Sequence, residues 1–346
     1  MDVPTQQIPT LPLIVHAPSG AARNLETWAQ EHPELRAGLD THGALLFRGF
    51  DVGTAEQFRA AIAALVGEPL EYSEKSSPRS RMGAGIYTST DYPPEREILP
   101  HNEQSYNTTF PRYISFYCQR PAQSGGQTPL ADTRRVLYRI DRALLDRLWR
   151  TGYRYTRNFG GPMQMSWRHA FNTDDAETLE AYCQRSDIAF EWLGQRGGKK
   201  LRTEQVRGVI ARHPTSGELT WFNHAAFFHS SSLPPDLREL LVSVCGLACL
   251  PHATSYGDGC EISTESVAQL WRAYRAEERV FDWRQGDVLV IDNMLTAHAR
   301  RPYSGDRSIL AAMSVPCGWA EVVARPDESG CAMTRPHEAD AALQRI

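Results

Sequence analysis

No run of about 18 consecutive apolar residues occurs in the chain, so a membrane-spanning helix of ordinary length is not expected. The opening MDVPTQQIPTLPLIVHAPSG has no basic segment followed by a long apolar one, which argues against a secretory leader. Cysteine is sparse and unpatterned. Seven residues (118, 183, 245, 249, 260, 317 and 331) give an odd number without a C-x-x-C pair, against a disulfide framework or a zinc knuckle. Cys245 and Cys249 lie in the apolar run LLVSVCGLACLP, where small buried core residues are expected. A reducing, cytoplasmic setting suits such a set. Basic excess is also missing: 37 Lys and Arg against 41 Asp and Glu leave a net charge of −4, unlike a nucleic-acid binder. RGGKK (196–200) and DTRR (132–135) read as solvated loops and helix starts.

What is present suits a soluble globular chain: 346 residues, 41% hydrophobic and 23% charged. With no internal repeat, low-complexity linker or evident boundary, one domain over 1–346 is expected. The segment 24–43 reads as a helix, ALLFRGF (44–50) as a strand, and TAEQFRAAIAALVG (54–67) as a helix capped by Thr54. Residues 70–90 form a polar loop leading to a short strand. RYISFYC from 112 is rich in β-formers. GGQTPLAD turns on Gly125 and Gly126 into a short strand, and 134–152 is an amphipathic helix. Further on, YRYTRNFG, IAFEWL, LRTEQV, GVIARH, ERVFDW, GDVLVID and RSILAAMSV suggest strands, while 174–187, 234–246 and 265–278 suggest helices. The class is α+β, helices decorating one β core.

PHNEQSYN (100–107) raises the functional question, because His101 and Glu103 stand two apart where strand alternation would send both to one face. Two imidazoles and one carboxylate on one face of an octahedron are the donor set of non-haem iron(II) oxygenases. Of the 11 histidines, His298 is the strongest third ligand: in GDVLVIDNMLTAHARRP a tight turn and an apolar strand lead to a His in a following loop. His32, His16, His42, His213, His252 and His337 fit a helix, loops, turns or termini, and His169, His224 and His229 are less easily assigned. On spacing alone a zinc hydrolase on the same three residues, or a non-catalytic β-core metal-binding protein, stays open.

HNEQSY, GGQTPLAD and HARRPYSGDRSIL together resemble the TauD/TfdA-like (taurine dioxygenase) superfamily of iron(II), 2-oxoglutarate-dependent enzymes. They resemble most the clavaminate-synthase-like branch of amino-acid hydroxylases from nonribosomal-peptide pathways. The resemblance implies a jelly-roll double-stranded β-helix, with iron held by His101, Glu103 and His298. Thr128 and Arg307 would hold the far carboxylate of 2-oxoglutarate, and O2 would be consumed. It further implies hydroxylation of an unactivated C–H bond of an amino acid, free or carrier-protein-bound, in antibiotic-type biosynthesis; desaturation or cyclisation uses the same ligands. The segment ILAAMSV lacks the second Arg that taurine dioxygenase uses for sulfonate, which argues against taurine. Retention of Glu103 favours hydroxylation over chlorination. Candidate substrate contacts are Tyr106, Arg157, Asn158, Asn223 and His224, whereas Trp167, Trp221, Phe222 and Phe227 are expected in the core. Oligomeric state is left open.

Overall fold

The computed structural model describes residues 10–20, 23–71, 74, 80–89 and 92–326; Cys331 and His337 lie outside the described residues. The strand Val288–Asp292 shows how the core is organised. Val288 and Val290 face one side and Leu289 and Ile291 the other, and both sides are buried. A strand covered on both faces needs apolar residues at every position, hence the unbroken run VLVI. It pairs antiparallel with Ala44–Arg48 and Thr109–Arg120 inside a seven-stranded sheet. The outer face packs against the helices Leu25–Glu31 and Ala55–Leu65 through Leu25, Ala29, Phe58 and Ile62. Thr54 caps the second of these in a full capping box with Gln57, as its position predicts.

The inner face meets a smaller sheet ordered Glu278–Arg279, Leu130–Asp132, Thr296–Arg300, Ile98–His101. Phe116, Ile309 and Ala311 of the large sheet and Leu130 of the small one share this interior. Two facing, mostly antiparallel sheets with helices outside form a jelly-roll-type core. A third sheet, Ala189–Trp192, Leu201–Arg207, Tyr153–Phe159 and His252–Tyr256, adds Tyr153 and Tyr155 to a cluster that also holds Tyr106, Trp221 and Phe228.

Several expectations need correction. The helix over 24–43 is two helices, Leu25–Glu31 and Leu35–His42, because Pro33 has no N–H to continue the first. The helix over 134–152 breaks at Ile140, and Asp141 starts a new one by accepting from the Ala143 and Leu144 amides. The apolar run 240–251 is buried only at Leu241 and Leu250: Leu240, Val244 and Leu247 are 48%, 43% and 57% exposed. Cys249 is exposed too, and the helix Pro235–Cys245 buries only Leu241. Among the described cysteines, 118, 183 and 317 are buried, and none of the six is bonded to another. Finally, ERVFDW yields only the short strand Glu278–Arg279.

Candidate active site

His298 is in a strand, not a loop. Thr296–Arg300 lies between Leu130–Asp132 and Ile98–His101, and His298 stands directly opposite His101 in the antiparallel register. Cross-strand neighbours bring side chains together, and the two imidazole centroids are 4.4 Å apart. His101 ends its strand, so alternation does not explain Glu103. A turn over residues 102–107 swings Glu103 back, with Gln104 left-handed at φ 54°. Ligand atoms of His101, Glu103 and His298 all lie within 4.8 Å of one another.

The electronic arrangement suits a metal. His101 Nδ1 is 2.9 Å from the Leu99 carbonyl oxygen. A carbonyl only accepts, so Nδ1 carries the proton and Nε2 presents its lone pair. Glu103 and His298 are 4% and 5% exposed, sheltered from bulk water. Two imidazoles and one carboxylate satisfy only part of an octahedron, and the rest stays open to reactants. A second cluster among the described residues, Asp40, His213 and Asp292, is different. The Arg112 guanidinium occupies its centre, 3.1 Å from Asp40, 3.3 Å from Asp292 and 3.0 Å from His213 Nε2. That cluster already has its cation.

Thr128 and Arg307 share one small cavity with His101 and His298, walled by Phe116 and Ile309. The Trp283 indole N–H donates to Thr128 Oγ1 at 3.0 Å, which directs the hydroxyl proton elsewhere, free to donate. Arg307 Nε donates to the Gly126 carbonyl at 3.1 Å. A Cβ on Gly126 would stand 3.1 Å from Cδ and Nε of Arg307, and φ there is +71°, so glycine leaves Arg307 room to pass. No carboxylate neutralises Arg307 among the described residues; burial first, then the neighbouring Arg300 cation, push it down to about 10. Arg300, also lining this cavity, donates to the carbonyls of Tyr92, Pro93 and Arg96. A largely buried cation with no carboxylate partner among the described residues can receive an anion.

A chamber of about 760 Å³ adjoins this cavity, and Ile98 lines both. Its wall includes Leu99, Phe227, Phe228, Leu233, Leu241 and His252. Phe227, expected in the core, packs partly buried against the aromatic cluster and also lines the chamber, its ring 4.8 Å from that of His101. At the mouth Arg96 meets Asp236 across the opening, with Glu95 and Glu97 beside it.

The five expected substrate contacts do not line this chamber, because their polar atoms are used elsewhere. Tyr106 donates its hydroxyl to the Glu74 carbonyl, and Arg157 pairs with Glu74 at 3.2 Å, both buried. Asn158 donates to the Leu250 carbonyl at 2.8 Å. Asn223 donates to Val209 and accepts from the Ala225 amide. His224 Nδ1 meets Ser105 Oγ at 2.6 Å, a layer behind the wall, and burial holds its imidazole well below the usual range. Trp167, Trp221 and Phe222 are core residues, as expected. The sequence reading missed Trp283, Arg300, Asn293 and His252. Trp283 and Arg300 had a signal, an indole and a second cation close to the recognised motifs.

His252 stacks on Phe228 at 4.7 Å and its Nδ1 meets the Tyr155 hydroxyl at 2.7 Å. Burial, reinforced by Arg157, pushes it down to about 3. Between pH 6.5 and that value the unfolded chain binds a proton that the folded one refuses, so stability falls as pH drops through this window. By pH 5 the loss is at most about 2 kcal/mol, less what chamber water screens. His252→Phe should flatten urea-unfolding stability between pH 7 and 5 by up to that amount. An unchanged slope would show that the ring already takes up its proton in the fold.

A family model described as taurine catabolism dioxygenase TauD, TfdA family matches residues 13–313. The dapdiamide synthesis protein DdaC of Enterobacter agglomerans is 37% identical over 308 residues, 89% of this chain and 92% of that one. A clavaminate synthase-like protein of Arabidopsis thaliana is 27% identical over 321 residues, 87% and 93% of the two chains. Among solved structures, PvcB of Pseudomonas aeruginosa is described as an Fe, alpha-ketoglutarate dependent oxygenase from an isonitrile synthetic pathway. It superposes with a TM-score of 0.53 at 15% identity over 91% of both chains, a likeness of fold.

Proposed function

Because this chain belongs to the TauD/TfdA dioxygenase family, an iron- and 2-oxoglutarate-dependent class of oxygenases, we propose that it hydroxylates an unactivated C–H bond of an amino acid or amino-acid derivative in a specialised biosynthetic pathway. The observation that carries this reading is the junction of three features: a two-His, one-carboxylate cluster, an anion-seeking cavity and an apolar chamber. His101, Glu103 and His298 would hold the ferrous ion. When bound with 2-oxoglutarate and O2, that ion supplies an oxidant strong enough to break a C–H bond, with succinate and CO2 released.

The protein's part is to bind, orient and keep water out. Arg307 offers a planar fork to the far carboxylate of 2-oxoglutarate, and the Thr128 hydroxyl, steered by Trp283, adds one donor. Both lie in the cavity that contains His101 and His298, so the other end of a dicarboxylate anchored there would reach toward those imidazoles. Phe227 and Leu99 hold the substrate's apolar part against the metal side of the chamber and exclude water from the reacting carbon. The Arg96–Asp236 pair at the mouth matches a zwitterion in reverse: carboxylate to Arg96, ammonium to Asp236 or Glu95. This pair replaces the five buried residues as the recognition element.

Anaerobic titration of the protein with iron(II) and then 2-oxoglutarate should produce a weak visible charge-transfer band. With air, succinate release should depend on a candidate amino acid, free or carrier-bound. A product heavier by one oxygen supports hydroxylation; loss of two hydrogens transfers the proposal to desaturation or ring closure. A silent spectrum with tightly held zinc would favour a hydrolase, and a band without substrate-dependent succinate would favour a non-catalytic metal protein.

A further inference from the structure

The carboxylate of the metal cluster sits on irregular backbone. Glu103 is in a turn, and Gln104 after it is left-handed without being glycine, a conformation that needs support from its surroundings. The support comes from 190 residues away. Asn293 Oδ1 accepts the Glu103 amide N–H at 2.7 Å, and Asn293 Nδ2 donates to the Glu103 carbonyl at 2.9 Å. One side-chain amide thus pairs with both polar backbone groups of Glu103, as a neighbouring strand would. The same Nδ2 donates to the Pro111 carbonyl at 2.8 Å. The Asn293 carbonyl in turn accepts from Asn102 Nδ2 at 2.6 Å. Asn102 and Asn293 are wholly buried.

Asn293 is itself fixed. Its own amide donates to the Arg112 carbonyl at 2.8 Å, and Asp292 Oδ1 accepts the amides of Met294 and Leu295. This turn joins Val288–Asp292 to Thr296–Arg300, the strand that carries His298. The clamp on Glu103 and the strand bearing His298 are therefore one rigid unit of chain. We propose that Asn293 is a positioning residue that registers the carboxylate ligand against the second imidazole, so that the site is preorganised for its metal before the metal arrives.

The inference rests on the proposed metal site, and the test separates the two. Asn293→Asp keeps the size and the acceptor for the Glu103 amide, but turns an oxygen toward two carbonyl oxygens. Mn(II) binding, followed by calorimetry without 2-oxoglutarate, should weaken about 10- to 100-fold, the range for groups that orient metal ligands. Ile62→Ala, a core change on the far face of the large sheet, should lower the melting temperature and leave Mn(II) affinity within about 2-fold. If Asn293→Asp is folded and binds Mn(II) like the parent, or if Ile62→Ala loses as much affinity, the clamp has no positioning role. The parent protein supplies a measurement that needs no variant. The Glu103 amide should be equally protected from hydrogen exchange in metal-free and Mn(II)-loaded protein. Protection only after metal addition would overturn preorganisation. A parent chain that binds no Mn(II) while its Glu103 amide is protected would instead refute the metal site.

Discussion

Replacing His298 by alanine should lower substrate-dependent succinate release by about 10³-fold or more, a loss of roughly 4 kcal/mol of transition-state stabilisation. Among the described residues His298 is one of three ligand groups in this cluster, and it is buried, out of reach of solvent-exposed side chains. Two ligands on neighbouring elements retain a metal far less well than three. Mn(II) affinity should therefore fall together with turnover. The protein should remain folded, because the strand Thr296–Arg300 is held by pairing on both sides and not by the ring. Alanine removes the ring's contact with Phe116, centroid distance 5.2 Å, so the melting temperature should drop moderately. Glu103→Gln should behave alike in turnover, since an amide presents a neutral, weaker donor. A folded His298→Ala protein keeping a tenth of parental turnover would remove the metal from this site.

Arg307→Leu should raise the half-saturating 2-oxoglutarate concentration about 100-fold, the loss expected when a charge-assisted, two-pronged contact is deleted. Its effect on the ligand-free fold should run the other way. The guanidinium is pushed down from its ordinary value to about 10 by burial and by Arg300. A shift of that size means that keeping Arg307 charged costs the empty fold about 3 kcal/mol. Its folded value lies below its unfolded one, so the penalty is fully present below pH 10 and fades as pH rises from there toward the unfolded value. Leucine escapes that cost, so the ligand-free variant should melt no lower than the parent. A bound dicarboxylate offsets the same cost, which is why affinity in the parent should decline as pH climbs through about 10. Arg307→Lys should rescue poorly, since an ammonium has no planar fork. Unchanged 2-oxoglutarate dependence in the leucine variant would mean that the anion is held elsewhere.

Much of the fold was legible because its elements obey simple periods. VLVID and ALLFR read as strands, and Thr54 marks a helix start, since each signal is local. Errors arose where neighbours distant in sequence decided the outcome. The run at 240–251 is apolar enough for a core, yet its helix buries only Leu241 and lines a chamber. Tyr106, Arg157, Asn158, Asn223 and His224 looked like substrate contacts because they are polar or aromatic and near the motifs. Their partners, such as Glu74, Leu250 and Val209, take up those polar groups, and nothing in the local sequence announces it.

The sequence alone determined the residue types: two imidazoles, one carboxylate, a threonine and an arginine at spacings that resemble the TauD/TfdA pattern. Tertiary structure decided how they meet. The antiparallel register sets His298 opposite His101, a turn clamped by Asn293 returns Glu103 to them, and burial leaves Arg307 without a carboxylate partner among the described residues. The reason is physical. Ligand chemistry is a property of each side chain, whereas register, desolvation and the consumption of hydrogen-bond partners depend on groups far away along the chain. Those appear only when the sheets have closed.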